Sequence, residues 1–235
     1  MEITTGKKTR GKFVVLYGAP GIGKTTLASK ANTPLFLDAE SGTDELDVAR
    51  LSIKGHEQVR EAFVAAFKAS DYKTIVIDSA TAIERLLTAK VLQERNIKTL
   101  ARAGYGAGFQ DLKDSWIETL KPIDAMLQAN RNVILIGHTK VKSVNDPVLG
   151  DSYDRTEMDI HKDSLQTIVS AADMMLLMRE EITLKDDEGR TRPVGTGKRV
   201  LYTADRPSFL AKTRIKLPEI VDLEKTPDFW EKIGL

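Results

Sequence analysis

Residues Phe13-Val-Val-Leu-Tyr-Gly18-Ala-Pro-Gly-Ile-Gly23-Lys-Thr-Thr26 decide the fold of this chain. The stretch begins with an apolar run, passes through a glycine-rich turn with the spacing G-x-x-x-x-G-K-[ST], and continues into a helical pattern. The glycines let successive backbone N–H groups converge on a phosphate, and the start of a helix adds a favourable partial charge. An ordinary glycine-rich turn before a helix is the alternative. In this context the pattern predicts a phosphate-binding loop.

The loop predicts a binding site for ATP and Mg²⁺. Lys24 would bridge the β- and γ-phosphates, and the Thr25 hydroxyl would ligate Mg²⁺. The residues expected to contact the nucleotide are Gly18, Ala19, Pro20, Gly21, Ile22, Gly23, Lys24, Thr25 and Thr26. Asp78 follows the apolar run 74–77 and is predicted as the carboxylate near Mg²⁺, because hard cations prefer oxygen ligands. The alternative for Asp78 is the N-cap of a following helix.

Short apolar runs alternate with helical patterns along most of the chain. The apolar runs cover residues 13–17, 35–37, 74–77, 132–136 and 174–178. The helical patterns cover residues 24–31, 56–69, 82–95, 109–128 and 163–171. Continuous β-rich runs are typical of parallel strands buried on both faces, and their alternation with helices indicates an α/β doubly wound sheet. After Ala172, strand-like segments around the turn signal 186–189 and at 199–203 and 209–215 predict antiparallel strands at the sheet edge.

The composition excludes several classes of protein. The 235 residues include 35 Lys and Arg, 34 Asp and Glu, and no cysteine. Disulfide frameworks, thiolate zinc sites and thiol nucleophiles are therefore excluded, as is a uniformly basic nucleic-acid binder, although a local basic groove is not. No apolar run approaches the roughly 20 residues of a membrane span, so we expect a cytoplasmic protein. We expect a single domain over 1–235, with a basic lead-in over 1–12 and a tail over 224–235.

A second strand that ends in carboxylates supplies the group expected to activate water. The segment Leu35-Phe-Leu-Asp38-Ala-Glu40 is an apolar run followed by acidic residues. Because ligands of open α/β sheets bind at the carboxyl edge, Glu40 is predicted to lie there as a general base. Asp38 is the second candidate, on the same side but deeper in the sheet. The alternative for Glu40 is a solvated loop acid.

Three segments in order resemble the core ATPase domain of the RecA-like recombinases and hexameric helicases. They are the phosphate loop, Phe36-Leu-Asp-Ala-Glu40-Ser and Ile75-Val-Ile-Asp78-Ser-Ala-Thr-Ala-Ile83. The chain is most similar to small phage-encoded RecA-like ATPases of single-strand annealing recombination, over nearly its whole length. The resemblance implies a RecA-like P-loop NTPase fold with Glu40 as the catalytic glutamate. It does not extend to the accessory domains of recombinases, so filament, ring and monomer stay open.

The resemblance also implies two further contacts to the γ-phosphate. His138 stands where the family keeps a polar sensor, usually glutamine; a purely structural histidine is the alternative. Lys212 and Arg214 match a Lys-x-Arg pair with which RecA-like assemblies reach the nucleotide of the adjacent subunit, as an arginine finger does. Alternation places these two residues and Lys216 on one face of a strand, and a solvated, charged edge strand is the alternative. A role in trans would require an oligomer.

The two DNA-binding loops of the family correspond to residues 96–108 and 139–162. The first contains Arg102 and Tyr105, which offer a cation for phosphates and a ring for stacking on a base. Tyr105 or Phe109 could equally anchor a hinge on the core. The second contains Lys140 and Lys142 but mixes them with acidic residues. Its first basic residues could bind DNA, its acids could face outward or toward a neighbouring subunit, or it could be a solvated flexible loop.

These features predict a Mg²⁺-dependent ATPase that binds single-stranded DNA and acts in DNA recombination or annealing. A homo-oligomer, either filament or ring, is the expected assembly, and a single-strand DNA-binding protein is a candidate partner. The alternatives are a helicase or translocase motor subunit, a nucleotide-gated binding module, and a regulatory ATPase that acts on protein. The DNA assignments come from the resemblance, whereas the phosphate site follows from the residues themselves.

Overall fold

The computed structural model of the chain describes residues 5–6, 9–148, 150–187 and 190–235. Its strands are β1 Phe13–Gly18, β2 Pro34–Asp38, β3 Ala49–Ser52, β4 Thr74–Asp78, β5 Asn132–Asp146, β6 Asp151–Met158, β7 Met174–Asp187, β8 Arg190–Tyr202, β9 Lys212–Thr213 and β10 Ile220–Asp222. Its α-helices are α1 Lys24–Ala28, α2 His56–Lys68, α3 Ala80–Glu94, α4 Ala107–Gln128, α5 Lys162–Ala171 and α6 Phe229–Lys232, with a 3₁₀ helix at Leu100–Ala103. Strands and helices alternate as the apolar runs predict.

The strands form one mixed sheet in the order β10-β8-β7-β1-β5-β4-β2-β3, with β6 paired to β5 and β9 to β7 beside this row. The strands from β7 to β3 are parallel to their neighbours, whereas β8, β9 and β10 are antiparallel. The predicted α/β class, a mostly parallel sheet with antiparallel edge strands, is confirmed. The register places Gly18 beside His138 and Asp38 beside Asp78, so the predicted site residues meet at one edge.

Helices cover both faces of the sheet, which explains the continuous apolar runs. Val15 and Tyr17 of β1 face a core built with α2, α3, α4 and α5, whereas Val14 and Leu16 face a core that includes α1 and α6. A strand packed on both faces needs apolar side chains at every position rather than at alternate ones. The five apolar runs therefore became the central strands.

The second predicted DNA loop, residues 139–162, is mostly a β-hairpin. Here β5 continues beyond the sheet, and its residues from Thr139 onward pair with β6 in antiparallel register. Directly opposite residues include one pair of unlike charge, Lys140 with Glu157, and two pairs of like charge, Lys142 with Arg155 and Asp146 with Asp151. The two strands pair through their backbones and contain no apolar run in this segment, so hydrophobic periodicity could not predict the hairpin. The prediction of a loop was wrong for this segment.

Other element boundaries differ from the predictions for local reasons. Helix α1 ends at Ala28 instead of residue 31, because the amides of Lys30 and Ala31 bond to carbonyls only three residues back and tighten the chain. The strand predicted at 209–215 is reduced to Lys212–Thr213, since the amide of Leu210 bonds to Thr156 and that of Arg214 to Asp173. The short edge strands β3 and β10 were not predicted.

The C-terminal tail packs on the core of its own chain. Phe229 and Trp230 of α6 are buried, and the Trp230 indole donates a hydrogen bond of 2.6 Å to the carbonyl of Leu27 in α1. None of the described helices combines the length and apolar character that crossing a membrane requires. Parts of three predicted features lie outside the described residues: 1–4 and 7–8 of the lead-in, 149 of the second DNA segment, and 188–189 of the turn.

Candidate nucleotide-binding site

The phosphate loop connects β1 to α1 at the carboxyl edge of the sheet. Gly21 and Gly23 have φ angles of 76° and 100°, in the left-handed region that glycine adopts without a steric penalty. Lys24 begins α1 and is buried. Its Nζ donates hydrogen bonds to the carbonyl oxygens of Gly18 at 3.0 Å and Ala19 at 2.8 Å. The predicted loop is therefore present, with its lysine folded over the turn that would hold the phosphates.

The two predicted metal ligands are in direct contact. The Thr25 hydroxyl donates a hydrogen bond of 2.7 Å to Asp78 Oδ2. Burial raises the pKa of the Asp78 carboxyl to about 6; the Thr25 hydrogen bond opposes this, and the charges of Glu40 and Asp38 add to it. Asp78 does not cap α3, because Ser79 is the N-cap residue. A divalent cation bound to Asp78 and Thr25 would stabilise the charge of this buried carboxylate.

The donor set fits Mg²⁺. Thr25 and Asp78 contribute only oxygen atoms, which hard cations prefer. Within the described residues, no group of three or more His, Asp and Glu side chains could hold a metal ion by itself. An ion at Thr25 and Asp78 would therefore complete its coordination with phosphate oxygens and water, as Mg²⁺ usually does in phosphoryl-transfer sites.

Glu40 lies inside the site and is held at both oxygens. Its Oε1 accepts a hydrogen bond of 2.7 Å from Ser79 Oγ, and its Oε2 lies 2.8 Å from His138 Nε2. The other nitrogen of His138, Nδ1, lies 3.5 Å from Lys24 Nζ. The side chains of Glu40 and His138 are each about one-fifth exposed, at 23% and 22%. The predicted water-activating group and the predicted sensor thus form one connected set with the loop lysine.

Lys24 is the positive centre of this acidic cluster. Burial lowers the pKa of its ammonium group, and the charges of Asp78 and Glu40 oppose that shift. The carboxylates of Asp78 and Glu40, together with the ammonium group of Lys24, carry a net negative charge. A divalent cation would balance this charge before a triphosphate adds more negative charge.

Asp38, the second candidate for water activation, stabilises the turn after β2 through hydrogen bonds. Its carboxylate accepts hydrogen bonds from the amide of Glu40 at 3.0 Å, from the amide of Thr43 at 3.2 Å and from the Thr43 hydroxyl. Burial works against its charge, but these hydrogen bonds prevail and lower the pKa of Asp38. With its oxygens engaged, Asp38 shapes the turn that carries Glu40.

Arg199 is a site residue that the sequence did not indicate. It comes from β8, and a Cβ atom on Gly23 would lie 2.9 Å from its Nη1. The guanidinium borders a cavity of about 380 Å³ beside α1. The cavity is lined by Gly23, Thr26, Leu27, Lys30, Met178, Gly197, Arg199, Leu223, Glu224, Thr226 and Pro227. No local motif marks Arg199, because the pairing of two distant strands brings it to the loop.

The basic pair Lys212 and Arg214 lies away from the phosphate loop of its own chain. Strand β9 pairs with Met174 and Met175 at the start of β7, whereas the loop is level with Met178. Lys212 Nζ donates to the carbonyls of Val169 and Ala172 at 2.6 and 2.9 Å. Arg214 Nη1 donates to Asp173 Oδ1 at 3.1 Å. The pair caps α5 within the chain, and its role in trans stays a prediction.

The predicted DNA-contacting residues have different surroundings. Tyr105 is fully exposed, at a φ of 45° between two glycines, and Arg102 lies in the exposed 3₁₀ helix before it. On the hairpin, Lys140 Nζ lies 3.7 Å from Asp159 and bonds to the Ile160 carbonyl, and Lys142 Nζ lies 4.0 Å from Glu157. Tyr105 is thus free to stack on a ligand, whereas both lysines already face a carboxylate.

Phe109 forms a side-chain contact between the two predicted DNA segments. Its ring stacks on the imidazole of His161, with the ring centroids 4.6 Å apart and the planes 17° apart. Phe109 lies in the first turn of α4, directly after the first segment, and His161 precedes α5 at the end of the second. Of the two aromatic candidates, Phe109 has the surroundings of an anchor.

Comparison with models of known families identifies the family of the chain. A family model described as an AAA domain, AAA_24, matches residues 10–215. The chain belongs to the AAA_24 family. This is a family of AAA-type P-loop ATPases, and Lys24, Thr25 and Asp78 lie within the matched residues. The contacts of Glu40 do not fit a solvated loop acid, and the contacts of Asp78 do not fit a helix N-cap.

Individual relatives match parts of the AAA_24 domain. The ATP-dependent zinc metalloprotease FtsH 3 of Symbiobacterium thermophilum is 32% identical over 142 residues, covering 59% of this chain and 20% of that protein. The SPbeta prophage-derived uncharacterized protein YorG of Bacillus subtilis is 25% identical over 138 residues, covering 56% and 42%. The chain therefore spans less than half the length of these curated relatives.

Two archaeal proteins are among the solved structures that match the chain. The flagellar accessory protein FlaH of Methanocaldococcus jannaschii matches with a TM-score of 0.47 and 10% identity, over 91% of this chain and 85% of that one. The KaiC-like protein PH0186 of Pyrococcus horikoshii matches with a TM-score of 0.46 and 14% identity, over 91% and 89%.

Proposed function

We propose that this AAA_24 protein is a Mg²⁺-dependent ATPase that binds single-stranded DNA and acts in DNA recombination or annealing. The observation that carries the ATPase proposal is the convergence of three sets of side chains at one sheet edge. These are Lys24 on the phosphate loop, Thr25 with Asp78, and Glu40 with His138. The set contains a phosphate-binding cation, a site for a hard metal ion and a carboxylate for water, which are the parts that phosphoanhydride hydrolysis needs.

Each of these side chains has a separate role in the proposal. Lys24 and the loop amides hold the β- and γ-phosphates, while Thr25 and Asp78 hold the metal ion. When bound, Mg²⁺ neutralises negative charge on the transferred phosphoryl group. Glu40 orients the attacking water and accepts its proton. His138, which contacts both Glu40 and Lys24, is the polar sensor of the γ-phosphate.

Continuity along β5 supports a link between the nucleotide and DNA. His138 ends the part of β5 that lies in the parallel sheet, and Lys140 and Lys142 follow on the same strand. The exposed ring of Tyr105 and the side chain of Arg102 add a stacking surface and a cation before α4. A shift of His138 on nucleotide binding would move the strand that carries the two lysines.

The proposal includes assembly. Lys212 and Arg214 reach the γ-phosphate held by a neighbouring copy, so the active form is a homo-oligomer, either filament or ring. The prophage origin in the name of YorG supports a phage source, and hence action in the cytoplasm of a bacterial host. A single-strand DNA-binding protein is the partner we propose for the annealing step.

A regulatory ATPase that acts on protein is the second candidate. It is favoured by the hairpin, where Lys140 and Lys142 face Asp159 and Glu157. Such paired charges release fewer counterions on contact with DNA than free lysines would. A motor subunit would differ from both candidates by directed movement along a strand. A nucleotide-gated binding module would differ from them by activity without ATP turnover.

The test is the steady-state ATPase rate in Mg²⁺ with and without single-stranded DNA. We expect turnover that DNA stimulates, that Lys24→Ala abolishes, and that Glu40→Gln reduces to a slow residual rate measurable only in single turnovers. Annealing that survives in Glu40→Gln while turnover is lost would favour the binding module. Turnover that depends on Lys24 but is indifferent to DNA would refute the DNA coupling and favour the regulatory ATPase.

A further inference from the structure

Glu40 lies just after the end of β2, and the side chains that hold it belong to other elements of the fold. The turn after β2 is tied to the end of β4, because the amide of Ala39 donates a hydrogen bond of 2.7 Å to the carbonyl of Asp78. From there the Glu40 side chain reaches Ser79 at the start of α3 and His138 on β5. Its two donors therefore stand on two different elements of the core, α3 and β5.

The Ser79 hydroxyl is fixed in the direction of Glu40. Ser79 is fully buried, and its Oγ accepts a hydrogen bond of 3.3 Å from the amide of Ala82 as the N-cap of α3. A hydroxyl that accepts from the backbone keeps its single proton for another acceptor. The ionised carboxylate of Glu40 has only acceptor atoms, so the 2.7 Å contact is a hydrogen bond from Ser79 to Glu40.

His138 completes the arrangement as a donor to the other oxygen. The ammonium group of Lys24 has only donors, so His138 Nδ1, 3.5 Å away, is the acceptor nitrogen. With Nδ1 as the acceptor, the ring N–H is on Nε2, 2.8 Å from Glu40 Oε2. Each oxygen of Glu40 thus has its own donor, and the carboxylate plane is set by two points.

We propose that Ser79 is a positioning residue for ATP hydrolysis, whose hydroxyl holds one oxygen of Glu40 while His138 holds the other. The inference rests on the proposed function, in which Glu40 activates water. A glutamate has three rotatable side-chain bonds, and holding only one oxygen leaves the carboxylate free to swing. Ser79 removes that freedom before the nucleotide binds, which is the preorganisation that general-base catalysis requires.

The experiment compares Ser79→Gly, Ser79→Thr and Ser164→Ala. Glycine is tolerated well at an N-cap, so it removes the hydroxyl with little effect on α3, while threonine keeps the hydroxyl. Ser164 is the matched control, because its buried hydroxyl has no hydrogen-bond partner among the described residues. We expect kcat to fall about 10- to 100-fold in Ser79→Gly, with an unchanged Kd for ATP, and to stay within about threefold of wild type in the other two.

A double-mutant cycle with Glu40→Gln separates positioning from a general structural effect. If Ser79 acts through Glu40, adding Ser79→Gly to Glu40→Gln lowers single-turnover hydrolysis no further. Wild-type kcat in Ser79→Gly, a parallel loss of ATP affinity, or additive losses in the double variant would each overturn the proposal. If Ser79→Gly does not fold, a loss of kcat at unchanged Kd in Ser79→Ala decides the same question. Failure of the proposed function looks different, because wild type and Glu40→Gln would then hydrolyse ATP equally or not at all.

Discussion

Replacing Asp78 by asparagine should stabilise the protein while removing its response to Mg²⁺. Asp78 is 3% exposed and lies near Glu40 and Asp38, and burial raises the pKa of its carboxyl from 3.8 to about 6. Its charge is therefore less favourable in the folded chain than in the unfolded chain at neutral pH. Asparagine has nearly the same shape, keeps a carbonyl oxygen for the Thr25 hydroxyl and carries no charge.

The size and sign of the effect follow from the pKa difference. A rise of two pKa units corresponds to about 3 kcal/mol of unfavourable free energy once the pH lies well above 6. Because the folded pKa lies above the unfolded one, the contribution of Asp78 to stability is greatest below pH 4 and is lost as the pH rises through about 6. The buried NH₂ of asparagine offsets part of the gain, which leaves about 1–2 kcal/mol at pH 7.5. For a domain of this size the melting temperature should rise by roughly 2–8 °C.

Thermal melts of wild type and Asp78→Asn between pH 4.5 and 7.5 test the reasoning. The advantage of the variant should shrink by about 2 kcal/mol toward pH 4.5, and Mg²⁺ with ATP should raise the melting temperature of wild type only. Asp38→Asn is the matched control. Hydrogen bonds lower the pKa of Asp38, so the stability that its charge contributes is fully present above its usual pKa of 3.8 and is lost only below it. This variant should therefore lose stability by a similar amount across the whole range from pH 4.5 to 7.5. An advantage for Asp78→Asn that is absent at pH 7.5, or that does not change with pH, would refute the electrostatic argument.

Three further outcomes are expected. Arg199→Ala should weaken ATP binding about 3- to 10-fold in calorimetry without unfolding the chain, because the guanidinium borders the phosphate loop; an unchanged Kd would remove Arg199 from the site. Gly23→Ala should lower the free energy of unfolding by about 1–2 kcal/mol in urea titrations, since its φ of 100° is unfavourable for a residue with a Cβ; full stability would contradict this. Replacing Lys140 and Lys142 by alanine should weaken single-stranded DNA binding and reduce its salt slope by about 1–1.5 in fluorescence anisotropy, and an equal slope would exclude them as phosphate contacts.

The phosphate loop and the central strands could be predicted because their determinants are local. Gly21 and Gly23 have positive φ angles, a Cβ atom on Gly18 would lie 2.5 Å from the Met178 carbonyl oxygen, and Lys24 follows at a fixed spacing. The apolar runs likewise need only a sheet that is covered on both faces. The strand order was not predicted in detail, but parallel strands bring their carboxyl ends to one edge in any order. That geometry is enough to place Asp78, Glu40 and His138 together.

The parts that could not be predicted depend on pairing between distant segments. The hairpin of β5 and β6 is formed by antiparallel backbone pairing of residues 139–146 with residues 151–158, and in sequence these residues resemble a mixed-charge loop. Arg199 reaches Gly23 only through the register of β8 on β7. Ser79 was visible as a hydroxyl after Asp78, but its bond to Glu40 joins residues 39 positions apart.

The contacts of Lys212 and Arg214 indicate which of them is better placed for the role in trans that we propose for the pair. Lys212 has three donor protons, and two are directed at carbonyls that end α5, so reaching outward would leave those carbonyls unpaired. Arg214 has five donors and a half-exposed side chain, and Asp173 is also held by Arg10 and by the amide of Phe13. Loss of the Arg214 contact would therefore leave the Asp173 carboxylate with two partners. A guanidinium can also keep one edge on Asp173 while the other binds a phosphate. Arg214 is thus the member of the pair that can reach a second nucleotide at the smaller cost, and Lys212 serves mainly to hold the end of α5 against β9.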